Sequence, residues 1–270
     1  PKSANMLFPT DIFFQTFFWG RVKSKLGWQV SAFDLSTSYS TGDVLVLTKQ
    51  LNDESSVAYI PQGPEYGPDP DAYGSFLEHL SASLTEHMNK SLIYIRYDLP
   101  WVDPYAADIS QETLSSKCLQ TDLFRPENRL RELRMNYTTD RWNLHKAPFD
   151  LTVADSLTVD LTGTEDEILG KMKPKTRYNI KLAAQKGVGV IEADMSFLPV
   201  FYELYLQTAD RNGFSPCGYK PFHALFTTDV DDPHSPRKKL LLAVYKKEVL
   251  AGAVILFSGT TAHYLFGASS

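Results

Sequence analysis

The residues best suited to chemistry cluster between positions 171 and 181, where Lys171, Lys173, Lys175, Arg177 and Lys181 put five cations into eleven positions. The whole chain carries a net charge of −5, so this crowding is local, and an anion would relieve its repulsion. Phosphate or diphosphate suits the place. Pro174 fits the first turn of a helix, helix N-termini favour negative charge, and Arg177 offers a planar fork of donors. The same run also reads as a solvated basic face. A second candidate is Asp98, which follows an apolar run ending at Tyr97. A carboxylate at a strand end is placed to act as a general base, and it reads equally as a turn residue paired with Arg96.

Other chemistries find little support. Cys118 and Cys217 are the two cysteines, far apart and outside any C-x-x-C, which argues against a disulfide scaffold and a zinc site. The histidines at 79, 87, 145, 223, 234 and 263 have no metal-ligand spacing, and no metal is expected. No G-x-S-x-G elbow is present, so nothing marks a covalent serine nucleophile. A negative chain makes a basic surface over the whole molecule improbable, so any nucleic acid must meet a local patch. Apolar stretches such as residues 249–257 fall well short of the roughly 20 residues that cross a bilayer. The aromatic N-terminal region is interrupted by polar residues and lacks a cleavage site, which places the protein in the cytoplasm.

These residues need elements to hold them. Helical spacing covers residues 10–28, with Gly27 closing the helix, and again residues 72–90. Residues 30–35, 43–49, 57–60 and 92–97 read as strands, the third stopped by the turn chemistry of Pro61, Gly63 and Pro64. That Pro61–Pro64 loop reads as a cleft wall or as a rigid turn. Residues 103–128 are polar and weakly periodic, a loop with short helix. A strand is expected over residues 153–161, then a capping box at Thr164 and Glu167 opening a short helix. A second helix follows Pro174 and ends at Gly187, with a strand at 188–192 and a helix at 197–211. Residues 240–245, 249–257 and 261–266 read as an antiparallel meander. The fold class is therefore mixed α/β, in two similar units over residues 1–150 and 151–270. The meander runs out at Ser270 with no residues left to cover its edge, so the second unit is expected to be truncated.

The run from Lys175 through Thr176, Arg177, Tyr178 and Asn179 to Ala183, followed by Lys186-Gly187-Val188, resembles the signature of the FemABX family. Further segments match that family in order: Trp19-Gly-Arg-Val-Lys23 with Gly27-Trp28, Ala58-Tyr-Ile-Pro-Gln-Gly-Pro64, Val159-Asp160-Leu161, Thr208-Ala-Asp-Arg211 with Gly213-Phe214, and Tyr264-Leu-Phe-Gly-Ala-Ser-Ser270. The resemblance implies two GNAT-like acyltransferase domains. It implies transfer of an amino acid from aminoacyl-tRNA to the stem-peptide amine of a peptidoglycan precursor, UDP-linked or lipid-linked, with aminoacyl-tRNA as co-substrate and no cofactor. The resemblance implies that the precursor's diphosphate and sugar lie in a cleft formed largely by the first domain and the start of the second, gripped by Lys23 and Arg177, with Thr176 and Tyr264 as further contacts. A lipid-linked precursor would require peripheral docking at the inner face of the membrane.

The donor in such a reaction is an already activated ester, so the amine attacks directly and no acyl-enzyme is needed. An ordinary lysine-like amine has a pKa of about 10.4 and must lose a proton before or during attack. Positioning and stabilisation of the tetrahedral oxyanion carry more of the rate than a strong base. Two rivals stand beside this reading. An acetyl-CoA-dependent GNAT enzyme would share the element order, but Ala184 stands where R/Q-x-x-G-x-G/A needs Arg or Gln before Gly187-Val-Gly189. A noncatalytic module binding a muropeptide or RNA is the other.

Overall fold

The computed structural model describes residues 1–36, 41–102, 126–153 and 156–270. The chain divides into two compact units, Pro1–Ala154 and Asp155–Ser270.

The first unit opens with α1 (Phe17–Lys25), followed by β1 (Gln29–Ser36), β2 (Thr41–Asn52), β3 (Ser55–Ile60), α2 (Tyr73–Thr85), β4 (Leu92–Tyr97) and α3 (Pro126–Asn136). The strands form one sheet in the order β1-β2-β3-β4, antiparallel except for the β3–β4 pair. Parallel neighbours need a crossover, and α2 supplies it. Val44, Leu45, Val46 and Leu47 are all fully buried, because β2 is covered on both faces. Val44 and Val46 pack with Ala58, Ile60, Leu80 and Leu84, on the α2 side. Leu45 and Leu47 join Tyr59, Trp19 and Trp28 on the other. Strand alternation thus sorts one apolar run into two cores.

The helix expected over residues 10–28 forms only as α1. Phe13–Gln15 is a 3-10 turn, and Thr16 caps α1 by accepting from the Trp19 amide at 3.2 Å. The interruption has a cause. Gln15 is buried and committed elsewhere, donating to the Pro61 carbonyl at 2.6 Å and accepting from the Leu45 amide at 2.8 Å. The same side chain lies against Gly63, where an added Cβ would stand 2.5 Å from Gln15 Nε2. The Pro61–Pro64 loop is therefore clamped, and its Gly63 amide donates to the Asp98 carbonyl at 3.1 Å.

The second unit runs α4 (Glu165–Lys171), α5 (Pro174–Gln185), β5 (Gly189–Ala193), α6 (Leu198–Asn212), α7 (Tyr219–Thr227), β6 (Arg237–Tyr245), β7 (Glu248–Ser258) and β8 (Thr261–Ser269). Its sheet, β5-β6-β7-β8, is wholly antiparallel. Thr164 and Glu167 form the expected capping box. Phe201 and Phe222 of α6 and α7 are buried, as are Leu240, Leu242, Val254 and Leu256 of the sheet. A Cβ at Gly252 would meet Phe201 Cδ2 at 2.6 Å, so the missing side chain lets α6 sit close on β7.

One expected element does not form. Among the described residues of 153–161 no strand is present. Val153, Leu157, Val159 and Leu161 are more than half exposed, Leu157 at 91 %. Their alternation is real, but no neighbouring strand offers the ladder of hydrogen bonds that turns alternation into sheet.

Candidate functional site

In the first unit the site is built by the way α1 ends. Gly27 adopts a left-handed φ of 83°, its amide donates to the Ser24 carbonyl at 3.0 Å, and the Trp28 amide donates to the Lys23 carbonyl at 3.1 Å. This is a Schellman closure, which folds the chain back and sets Trp28 beside Lys23. Lys23 Nζ stands 4.8 Å from the centroid of the Trp19 ring and 5.9 Å from that of Trp28. From β2, Lys49 Nζ comes to 5.3 Å from the same Trp28 ring. Aromatic faces attract cations, and the indole is the strongest of them. Burial lowers the Lys23 pKa below the ordinary lysine range, and the Lys49 charge lowers it further.

Trp28 lies 6.3 Å from Tyr59, whose hydroxyl donates to Asp98 Oδ2 at 2.7 Å. Burial and then the hydrogen bond to Asp98 push the Tyr59 pKa well above the usual tyrosine range, so the phenol keeps its proton as a donor. Asp98 Oδ2 also accepts from the Thr152 amide at 3.0 Å and the Thr152 hydroxyl at 2.9 Å. Oδ1 takes Arg96 Nε at 3.2 Å. Three of these bonds fall on Oδ2 and one on Oδ1, so four donors hold the carboxylate in place. The pairing with Arg96 is thus present, within a network that ties β3, β4 and the chain around Thr152 together. Arg96 extends it by donating from Nη2 to the Phe149 carbonyl at 2.6 Å.

In the second unit Arg177 lies on the first turns of α5. Its Nη1 donates to the carbonyls of Gly170 and Met172, at 3.1 and 2.7 Å, and so caps the end of α4. The remaining guanidinium donors lie outside those two bonds. Thr176, next to it, is exposed. Among the neighbouring cations, Lys171 lies 3.6 Å from Asp160. Tyr264 stands on β8, 69 % exposed. The five expected residues therefore fall on two units: Lys23 and Asp98 in the first, Thr176, Arg177 and Tyr264 in the second.

Sequence reasoning did not single out Lys49 or Tyr59. Lys49 lies 26 positions beyond Lys23, on another element, and its only trace in the sequence is a lysine ending an apolar strand pattern. Among the described residues no cluster of three His, Cys, Asp or Glu side chains could hold a metal ion. Nor is any helix among them long and apolar enough to cross a membrane.

Each of the two α/β units carries a four-stranded sheet, and this fold has a solved likeness. The chain resembles the crystal structure of FemX with a TM-score of 0.64 at 17 % identity, covering 99 % of this chain and 77 % of that one. The FemAB family profile matches residues 7–232, and the chain belongs to that family, one of transferases of peptidoglycan synthesis. No curated protein matches its sequence.

Proposed function

We propose that the protein transfers an amino acid from aminoacyl-tRNA to the stem-peptide amine of a peptidoglycan precursor, building the interpeptide bridge. Its two units are read as GNAT-like, with Lys23 and Arg177 as cations for the precursor's diphosphate and Thr176 and Tyr264 as further contacts. The observation that carries the reading is Lys23: half-buried, held on two tryptophan rings and repelled by a second lysine, it is a cation built to meet an anion. Arg177 supports it, because its Nη1 bonds fix the guanidinium before any ligand arrives.

The chemistry then rests on positioning. The ester donor is activated, so the amine attacks the carbonyl, the ribose oxygen leaves, and the amine proton passes to water or a nearby base. Asp98 serves this reading as the residue that fixes Arg96, Tyr59 and Thr152. The substrates place the reaction in the cytoplasm, at the inner face of the membrane if the acceptor is lipid-linked.

Calorimetric titration with a UDP-linked muropeptide and with acetyl-CoA tests the reading. Binding of the muropeptide alone is expected, and Arg177→Ala should weaken it by roughly 1.5 to 3 kcal/mol, as for other hydrogen bonds to charged groups. Binding of acetyl-CoA with indifference to the muropeptide would instead favour the acetyltransferase.

A further inference from the structure

Five other lysines of the described residues sit differently from Lys23 and Lys49. Lys2 lies 2.7 Å from Asp43, Lys146 3.1 Å from Asp150, Lys171 3.6 Å from Asp160, and Lys238 and Lys239 2.7 Å from Asp229 and Glu192. Each has a carboxylate to offset it. Among the described residues Lys23 and Lys49 have no ion pair, and they share one ring instead, with Nζ atoms at 5.9 and 5.3 Å from the Trp28 centroid. Both side chains are half-buried. The strand fixes Lys49 there, since its residue pairs with Val57 in the β2–β3 ladder.

Two cations brought together at reduced exposure repel, and the attraction of an indole face offsets that only in part. Two adjacent positive charges without a carboxylate match a ligand with two adjacent negative ones. A single carboxylate or a phosphate diester would leave one lysine uncompensated, whereas a diphosphate diester carries one charge for each. We infer that Lys49 is a further cation of the diphosphate subsite, acting beside Lys23 in addition to Arg177, with Trp28 as the wall that spaces the two lysines. This inference rests on the proposed function for the identity of the ligand and adds a residue to it. The burial of Lys23 and its repulsion by Lys49 agree, since both favour an incoming anion.

The test is titration of the whole chain with inorganic pyrophosphate, with a UDP-linked muropeptide, and with a lipid-linked muropeptide in neutral phospholipid vesicles. Lys49→Met keeps an apolar stem over Trp28, and Lys49→Arg keeps the charge. Lys49→Met is expected to weaken all three ligands by at least about tenfold, with Lys49→Arg binding close to the parent and the melting temperature of neither lowered. If Lys23→Met weakens binding while Lys49→Met does not, Lys49 is excluded and the functional reading stands. If neither changes it, the diphosphate reading of this face falls as well. A loss confined to the UDP-linked ligand would put Lys49 against the nucleotide, one confined to the vesicles would put it against the membrane, and either overturns the assignment.

Discussion

The phenol end of Tyr264 lies against Gly267, so closely that a Cβ added to the glycine would overlap the tyrosine hydroxyl and stand 2.6 Å from Cζ. The strand arranges this with a bulge: Val254 pairs with Phe266 but Ile255 with Tyr264, leaving Leu265 as the extra residue. Regular alternation would give Tyr264 the face of Phe266, which packs at 4.6 Å on Phe222. Instead Tyr264 is exposed and available to a ligand.

Replacing Gly267 by Ala should therefore displace the tyrosine ring. A cost of about 0.5 to 1.5 kcal/mol in urea unfolding is expected, that of driving the exposed phenol off its rotamer. In a Tyr264→Ala background the same change should be nearly neutral. Equal costs in both backgrounds would show that the two residues do not meet.

Lys23→Met should separate binding from stability. The folded protein holds the Lys23 pKa below its unfolded value, so the charged side chain costs stability at neutral pH. That cost fades as pH rises through the lowered pKa toward the ordinary value of about 10.4. The variant is expected to unfold at a higher urea midpoint than the parent at neutral pH, with the gain shrinking in alkali, while pyrophosphate binding is lost. A lower midpoint at neutral pH would mean that Lys23 is a structural residue.

Asp98→Asn distinguishes an anchor from a base. Asn offers one acceptor oxygen where the carboxylate has two, so part of the Tyr59, Thr152 and Arg96 network must break. A loss of about 1 to 3 kcal/mol of stability is expected. Should turnover collapse with the melting temperature unchanged, Asp98 is the base after all.

Much of the frame was legible from pattern. Alternating apolar residues gave the strands of both sheets, and the left-handed glycines Gly27 and Gly187 marked where α1 and α5 close. Lys23 is legible only through the resemblance to the FemABX family; the Schellman end at Gly27 explains why Trp28 lies against it. Helix α7 escaped notice because Pro221 lies within it, although a proline in the first turn removes no helical bond. Helix α3 is largely charged and polar, with Leu130 and Leu133 exposed, so it had no apolar stripe to read. The strand expected over 153–161 failed for want of a partner. What no local pattern carries is a meeting of distant residues, such as Lys49 with Lys23 or Thr152 with Asp98.

The most direct measurement is turnover. Incubating the protein with a panel of charged tRNAs and a UDP-linked muropeptide should give a muropeptide heavier by one amino-acid residue, dependent on the charged tRNA and lost in Arg177→Ala. Intact muropeptide binding with no such product from any charged tRNA or from a lipid-linked acceptor would contradict it and leave a binding module.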